Sequence, residues 1–377
     1  SPWTSLYGTD LGPDGTLYVA NWGPLGPNPV GQGLYSLASA STAPAPSVFA
    51  SFSSGGVNAY PQDVVATPST VYEIDSGGVT SINPASPSTR TTVTSGGLLE
   101  SLGVNAQAGA ISGTTLYLTA DSSCQSAEGG GAYVLAVDLT TGTQTQVASL
   151  SCAALGGIVV EAAGTLLVAE TTSNTNGGGK PALVRVNPAN GQVTPLPTGG
   201  TALLKAPQGL ALAGTTLYVA DAQAGILSVN TTTGRQSAVS TPNSKSPLGN
   251  AFGIAVGPDG TLYVSEAGVP PTLTASVPSR QKVRSSGVAV TARCNRACSV
   301  AYTLTVNTVP SYAQGGSFSA TTTSKSHPIK VGSSILKRIR SALKRGRPVT
   351  AKVQLTPQDP NSGSAGRTVS FKVRFVS

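Results

Sequence analysis

The sequence predicts an all-β protein: a six-bladed β-propeller whose last blade is incomplete, followed by a small, basic β-sandwich-like domain. Three observations carry this. A phrase close to Gly-Thr-Leu-Tyr-Val recurs six times at a spacing near 50 residues. Gly (45) and Pro (27) punctuate short alternating apolar runs, while charged residues make up only 10% of the chain. Charge also divides sharply near residue 268.

The repeat comes first. The phrase reads Gly-Pro-Asp-Gly-Thr-Leu17-Tyr-Val-Ala-Asn21, then Ser-Thr-Val71-Tyr-Glu-Ile-Asp75, then Gly-Thr-Thr-Leu116-Tyr-Leu-Thr-Ala-Asp121. It continues with Leu166 to Glu170, Leu217 to Asp221 and Leu262 to Glu266. The key apolar positions are 54, 45, 50, 51 and 45 residues apart, a period that belongs to propeller blades. Within each copy an apolar strand (Gly209-Leu-Ala-Leu-Ala213, Gly253-Ile-Ala-Val-Gly257) precedes the repeated one. A third strand and a Thr/Val-rich fourth follow, joined by turns such as Asn187-Pro-Ala-Asn-Gly. Blades are expected near 1–56, 57–98, 99–153, 154–199, 200–249 and 250–268, and the second domain over 269–377.

Ala206-Pro-Gln-Gly-Leu-Ala and Gly257-Pro-Asp-Gly-Thr-Leu-Tyr-Val resemble the NHL, gluconolactonase and streptogramin-lyase group of propellers. The resemblance covers about residues 1–268 and implies the fold, not an activity, since this architecture hosts binders, scaffolds and enzymes. Residues 270–377 resemble a β-sandwich-like module at the C-terminus of exported actinobacterial proteins. The marks are Val277-Pro-Ser-Arg-Gln-Lys-Val, Leu343-Lys-Arg-Gly-Arg-Pro-Val and Arg367-Thr-Val-Ser-Phe-Lys-Val.

Blade six has room for two clear strands, because a different pattern begins after Gly268. The segment Ser1-Pro-Trp-Thr-Ser-Leu-Tyr adds at most one more. The open edge calls for a cover: the N-terminus, the C-terminal domain, or a strand from a neighbouring copy. In the second domain a helix is expected with Ser333/Ser334 as caps, Ile335, Leu336, Ile339 and Leu343 on one face, and Gly346 at its end.

The chain contains no Met, so Ser1 reads as a processed terminus, as after signal-peptide removal. The four cysteines agree with export. Cys294 and Cys298 read as a disulfide across a hairpin turn, and Cys124 with Cys152 as a longer loop, worth roughly 2 and roughly 3.5 kcal/mol by chain entropy. A zinc site is disfavoured by the split of the thiols between domains and the lack of nearby His. No apolar run approaches the ~18 residues that cross a bilayer.

Residues 1–268 hold 6 Lys/Arg against 14 Asp/Glu, and residues 269–377 hold 17 against one, Asp359. Lys337, Arg338, Arg340, Lys344, Arg345 and Arg347 form the densest basic run and the expected partner-binding surface. Other copies of the chain, through the acidic propeller, and anionic cell-envelope polymer are the expected partners. Nucleic acid is disfavoured by the absence of interleaved aromatics.

The sole His, His327, lies in the basic domain, which excludes the propeller-His chemistry of streptogramin lyases. Carboxylates and amides remain: Asn21, Asp75, Glu170, Asp221 and Glu266 share one place in the repeat, Asp121 is shifted by one, and Asp63 lies nearby. They are expected to ring one mouth of the channel, either capping turns or holding a divalent cation such as Ca²⁺. Repetition favours capping, because a catalytic site is usually asymmetric. Trp3 and Trp22 are expected in the core or clasp rather than on a sugar-binding surface. The reading is a secreted, non-enzymatic structural or adhesive protein that assembles head to tail. The alternative is a metal-dependent lactonase- or hydrolase-like propeller enzyme.

Overall fold

The computed structural model describes residues 6–21, 33–38, 47–51, 60–122, 131–150, 154–171, 180–197, 199–241, 250–266, 271–284, 287–295, 298–307, 311–358 and 366–376. The chain forms two compact units, Ser1–Ala267 and Gly268–Ser377.

The first unit holds six antiparallel sheets among the described residues. Sheet one is β1 (Leu6–Leu11), β2 (Leu17–Asn21), β3 (Gly33–Leu37) and β4 (Ser47–Ser51); sheet two is β5 (Pro61–Ala66), β6 (Val71–Asp75), β7 (Gly78–Asn83) and β8 (Ser86–Ser95). A one-turn helix, α1 (Leu98–Ser101), leads into sheet three: β9 (Asn105–Ser112), β10 (Thr115–Asp121), β11 (Ala132–Asp138) and β12 (Gln144–Leu150). Sheet four is β13 (Ala154–Val160), β14 (Leu166–Thr171), β15 (Ala182–Val186) and β16 (Val193–Pro195). Sheet five is β17 (Pro207–Ala213), β18 (Thr216–Asp221), β19 (Gly225–Asn230) and β20 (Gln236–Ser240). Sheet six is β21 (Ala251–Val256) and β22 (Leu262–Glu266). The first strands adjoin in succession, and β21 returns to β1, so the sheets close a propeller-like ring.

Local chemistry explains the repeat. In both Gly-Pro-Asp-Gly-Thr copies the Asp caps the β-turn: Asp14 accepts the Thr16 N–H (3.0 Å) and hydroxyl (2.8 Å), and Asp259 treats Thr261 the same way (3.0 and 2.8 Å). Gly15 and Gly260 follow at φ 78 and 82, which suits a residue without Cβ. In the Leu-Tyr-Leu strand of sheet three, alternation sends Leu116 and Leu118 toward sheet two and Tyr117 toward sheet four. Each such buried Leu contributes about 1.5–3 kcal/mol. Similar clusters join sheets one and two, four and five, and five and six.

Every inner strand breaks register with its neighbour near its start: between Leu6 and Thr9, Pro61 and Asp63, Ala106 and Ala108, Leu155 and Ile158, Pro207 and Gly209, and Ala251 and Ile254. These β-bulges bring consecutive inner strands into close approach. A Cβ on Gly253 would stand 2.5 Å from the Tyr7 carbonyl oxygen, one on Gly209 2.4 Å from that of Phe252, and one on Gly157 2.7 Å from the Leu210 nitrogen. Sheet two carries Asp63 at this place, and Gly8 of sheet one makes room for it.

Sheets six and one meet without sharing a strand. The Ser265 hydroxyl donates to the Tyr7 carbonyl and accepts the Gly253 N–H (2.8 Å), and the Tyr7 and Phe252 rings meet edge-on with centroids 4.5 Å apart. Leu6 and Tyr7 belong to β1, and residues 1–5, the rest of the segment considered as a further strand of sheet six, lie outside the described residues. The outer edge of β22 has no strand partner among the described residues.

The second unit comprises β23 (Leu273–Ser276), β24 (Arg280–Lys282), β25 (Thr291–Cys294), β26 (Cys298–Val306), β27 (Tyr312–Ala320), β28 (Lys325–Ser326), α2 (Ser333–Lys344), β29 (Val349–Gln358) and β30 (Val369–Val376). A three-stranded sheet, β23-β25-β28, and a five-stranded one, β24-β30-β29-β26-β27, enclose one core with Ile335, Leu336 and Ile339 of α2. Cys294 and Cys298 are bonded, with Cα atoms 6.3 Å apart. They do not span a hairpin: β25 and β26 enter different sheets, and the bond pins the corner where the chain crosses between them. Cys124 and Cys152 lie outside the described residues. The N-cap of α2 is Gly332 with no side-chain bond, so Ser333 opens the helix rather than capping it; Gly346 follows its end at φ 69.

Gly253→Ala should lower the stability of the first unit by about 1–3 kcal/mol, the usual cost of overpacking. A calorimetric melting temperature within a degree of the parent would show that the ring closes with room to spare. Replacing Cys294 and Cys298 together with Ala should cost the second unit about 2 kcal/mol, read as an earlier melting transition that reducing agent reproduces in the parent.

Candidate functional site

The inner strands enclose a channel of about 950 Å³, lined by residues of β1, β5, β9, β13, β17 and β21. Its wall is mainly backbone, glycine and small apolar side chains. Two carboxylates break that pattern, Asp10 and Asp63. Asp63 replaces a small residue at the bulge of β5 and accepts the Gly109 N–H from sheet three (3.0 Å). Asp10 accepts the Leu11 and Ala66 N–H groups (2.8 Å each), which ties sheet one to sheet two.

Both acids touch channel solvent yet are surrounded by protein. Burial pushes Asp63 up to about 7, against its backbone hydrogen bonds, and the nearby Asp10 charge adds to the rise. Burial likewise pushes Asp10 up to about 6. The pair therefore exchanges protons near neutrality, which suits a general acid or base. The sequence reading named Asp63 as a neighbour of the acidic ring and missed Asp10. Its only signal was a break in repetition: the copy of sheet six has Ala255 where sheet one has Asp10.

The repeated set sits elsewhere. Asn21, Asp75, Asp121, Glu170, Asp221 and Glu266 pair in register with the first residues of the inner strands, so they share one end of the ring. They do not line the channel, because second strands stand one strand spacing, about 4.8 Å, farther out. Asp221 is a turn cap, accepting the N–H groups of Lys205 (2.8 Å), Ala206 (2.9 Å), Gln223 (2.9 Å) and Ala224 (2.7 Å). Asp121 accepts the Leu155 N–H (2.6 Å) of the next sheet and the Gln107 amide (2.9 Å). Asp75 accepts the Gly77 N–H (2.6 Å) within its hairpin, and burial pushes it up to about 6. Burial also raises Glu170. Asn21 is buried and bonds the Tyr35 hydroxyl. Among the described residues no three His, Cys, Asp or Glu side chains converge as metal ligands.

Glu73, on β6, is fully buried with neither carboxyl oxygen hydrogen-bonded. Burial and the adjacent Asp75 push its carboxyl well above the usual range. Part of the acidity of the first unit is thus internal: Glu73, Asp75 and Asp221 are buried. Among its described carboxylates Asp14, Glu100 and Asp259 are exposed and Asp138 partly so, a small acidic surface for a basic partner.

On α2 and the turn after it, Lys337, Arg340, Lys344, Arg345 and Arg347 are exposed and Arg338 is half-buried. His327 stacks on Phe318 with centroids 4.3 Å apart, and burial with nearby Lys325 lowers its proton affinity. Its Nε2 is buried without a hydrogen-bond partner among the described residues. Trp3 and Trp22 lie outside the described residues.

No family model matches the chain, so the likeness to NHL-type propellers rests on the repeated phrase. No curated protein matches it either. Solved structures agree with the fold. A chain of a nidogen/laminin complex matches with TM-score 0.51 at 13% identity, over 66% of this chain and 84% of that one. The extracellular domain of the putative one component system BT4673 from B. thetaiotaomicron matches with TM-score 0.39 at 9% identity, over 99% of this chain and 56% of that one. PorZ, a surface component of the type-IX secretion system of Porphyromonas gingivalis, gives 0.39 at 12%, over 99% and 51%. The chain spans little more than half of these two bacterial proteins. The fold is all-β and propeller-like.

The raised carboxyls set a direction for pH. Unfolded Asp ionises near 4, folded Asp63 only near 7, so the unfolded state gains as pH rises across that window. Asp63→Asn should raise the melting temperature at pH 8 and leave it nearly unchanged at pH 4. A variant no more stable than the parent at pH 8, followed by circular dichroism, would mean that Asp63 ionises without penalty.

Proposed function

We propose that the chain is a secreted, non-enzymatic structural or adhesive protein of the cell surface, and that copies join head to tail by completing sheet six. The open edge of β22 carries this reading. Five sheets of the ring have four strands each, whereas sheet six has two among the described residues. Leu262, Tyr263 and Val264 on that strand are only half-buried. An apolar edge with unpaired backbone groups is one that proteins cover, and a strand from another chain does so by main-chain hydrogen bonding. Joining unlike surfaces in this way gives an open chain unless the rotation closes.

Export is supported by the Cys294–Cys298 bond, which suits an oxidising compartment; no helix among the described residues is long and apolar enough to cross a membrane. With so few exposed acids on the propeller, strand exchange supports assembly better than charge attraction does. A lactonase- or hydrolase-like enzyme is the second reading, favoured by Asp10 and Asp63 in the channel. Lactone hydrolysis that disappears in Asp63→Asn while the fold is retained would establish it.

The purified full chain should form polymers by light scattering and electron microscopy. Deleting residues 270–377, or placing a charge on the edge with Tyr263→Lys, should shift the population to monomers with unchanged far-ultraviolet circular dichroism. A monodisperse monomer across salt and protein concentration overturns head-to-tail assembly.

A further inference from the structure

The outer face of the five-stranded sheet carries a charge arrangement that folding alone disfavours. Along β30, Val373 and Phe375 enter the core while Ser370, Lys372 and Arg374 are exposed on the opposite side. The same period puts Thr350 and Lys352 of β29 and Thr303 and Thr305 of β26 on that face. Pairing sets Lys352 directly opposite Lys372, and Arg280 of β24 beside Arg374. Like charges on paired residues destabilise a sheet. No described carboxylate of this unit offsets them, and its one acid, Asp359, falls outside the described residues.

Between the two lysines the face holds a groove of about 420 Å³, lined also by Thr305, Asn307, Thr350, Ala351, Ser370 and Phe371. Asn307 is fixed there by accepting the Thr350 N–H (2.6 Å). The groove's wall is mainly apolar, and the polar groups on it are two cations with hydroxyl and amide groups, a set that recognises a carboxylate on a hydroxyl-rich chain. Phe371, the one aromatic residue of the groove, packs against the core of the unit, so nucleobases have little to stack on.

We propose that this face binds an acidic polysaccharide, with one sugar carboxylate seated between Lys352 and Lys372 and neighbouring ones on Arg374, Arg280 and Lys282. The partner relieves a like-charge strain that the fold retains. The inference rests on the extracellular reading only for where such a polymer is met, and it is independent of head-to-tail assembly. It also places the contact on the sheet rather than on the basic run of α2.

The test uses the full chain with polygalacturonate as the probe, neutral dextran as the blank and duplex DNA as the rival, by affinity electrophoresis at low salt. Polygalacturonate should retard the protein, dextran should not, and high salt should abolish the effect. Lys352→Gln with Lys372→Gln should weaken binding about tenfold or more, and Lys337→Gln with Arg340→Gln should change it less than about twofold. Lys372→Gln alone should raise the melting temperature of the free protein, since a repulsion is removed. The proposal falls if polygalacturonate does not retard the parent, if sheet and helix variants weaken binding equally, or if DNA binds as tightly. Light scattering on the same samples separates the two readings: monomers that bind polygalacturonate through the sheet support this inference while overturning assembly.

Discussion

The first unit depends on how closely its six inner strands approach one another. Bulges at one level of every inner strand turn backbone toward backbone, and the gaps left admit no Cβ at Gly157, Gly209 or Gly253. That contact fixes the ring's radius, and the radius decides what the channel can hold. Its wall is mostly peptide groups and small side chains, so the two carboxylates that enter it, Asp10 and Asp63, dominate its electrostatics. Each also bonds a neighbouring sheet through backbone N–H groups. A single feature therefore closes the ring and sets the character of its centre.

Much of this fold was legible because repetition is a property of the sequence itself. The spacing of Leu17, Val71, Leu116, Leu166, Leu217 and Leu262 marks the second strands, and turn chemistry at Asp14 and Asp259 gives the hairpins before them. What repetition hides is depth. Residues at the same place in each repeat look alike, yet Asp221 collects four backbone N–H groups while Glu266 ends a sheet of two strands. The acids of the repeat were expected around the channel because strand ends cluster there. One strand spacing moved them out of it, and the carboxylates that do enter, Asp10 and Asp63, stand outside the repeated Leu-Tyr-Val phrase.

Two further differences have the same origin. Val288-Ala-Val-Thr-Ala and the run from Ser299 alternate as two strands of a hairpin would, with cysteines at the turn. Alternation reports which side chains are buried but not which sheet a strand joins, so a corner between sheets reads as a hairpin. Net charge was similarly read as surface charge. A count of acids cannot tell Glu100, which is exposed, from Glu73, which is buried with its proton affinity raised.

Sheet six has a mechanical consequence. The chain leaves the ring from β22, and β22 is held in its sheet by β21 alone among the described strands. Tension drawn through the C-terminal unit enters the ring at its thinnest sector, where no third or fourth strand among the described residues shares the load. Pulled from its end, β22 peels from β21 one backbone pair after another, from Glu266 back toward Leu262. The five thicker sheets lie upstream of that fuse, and they keep their shape while it yields.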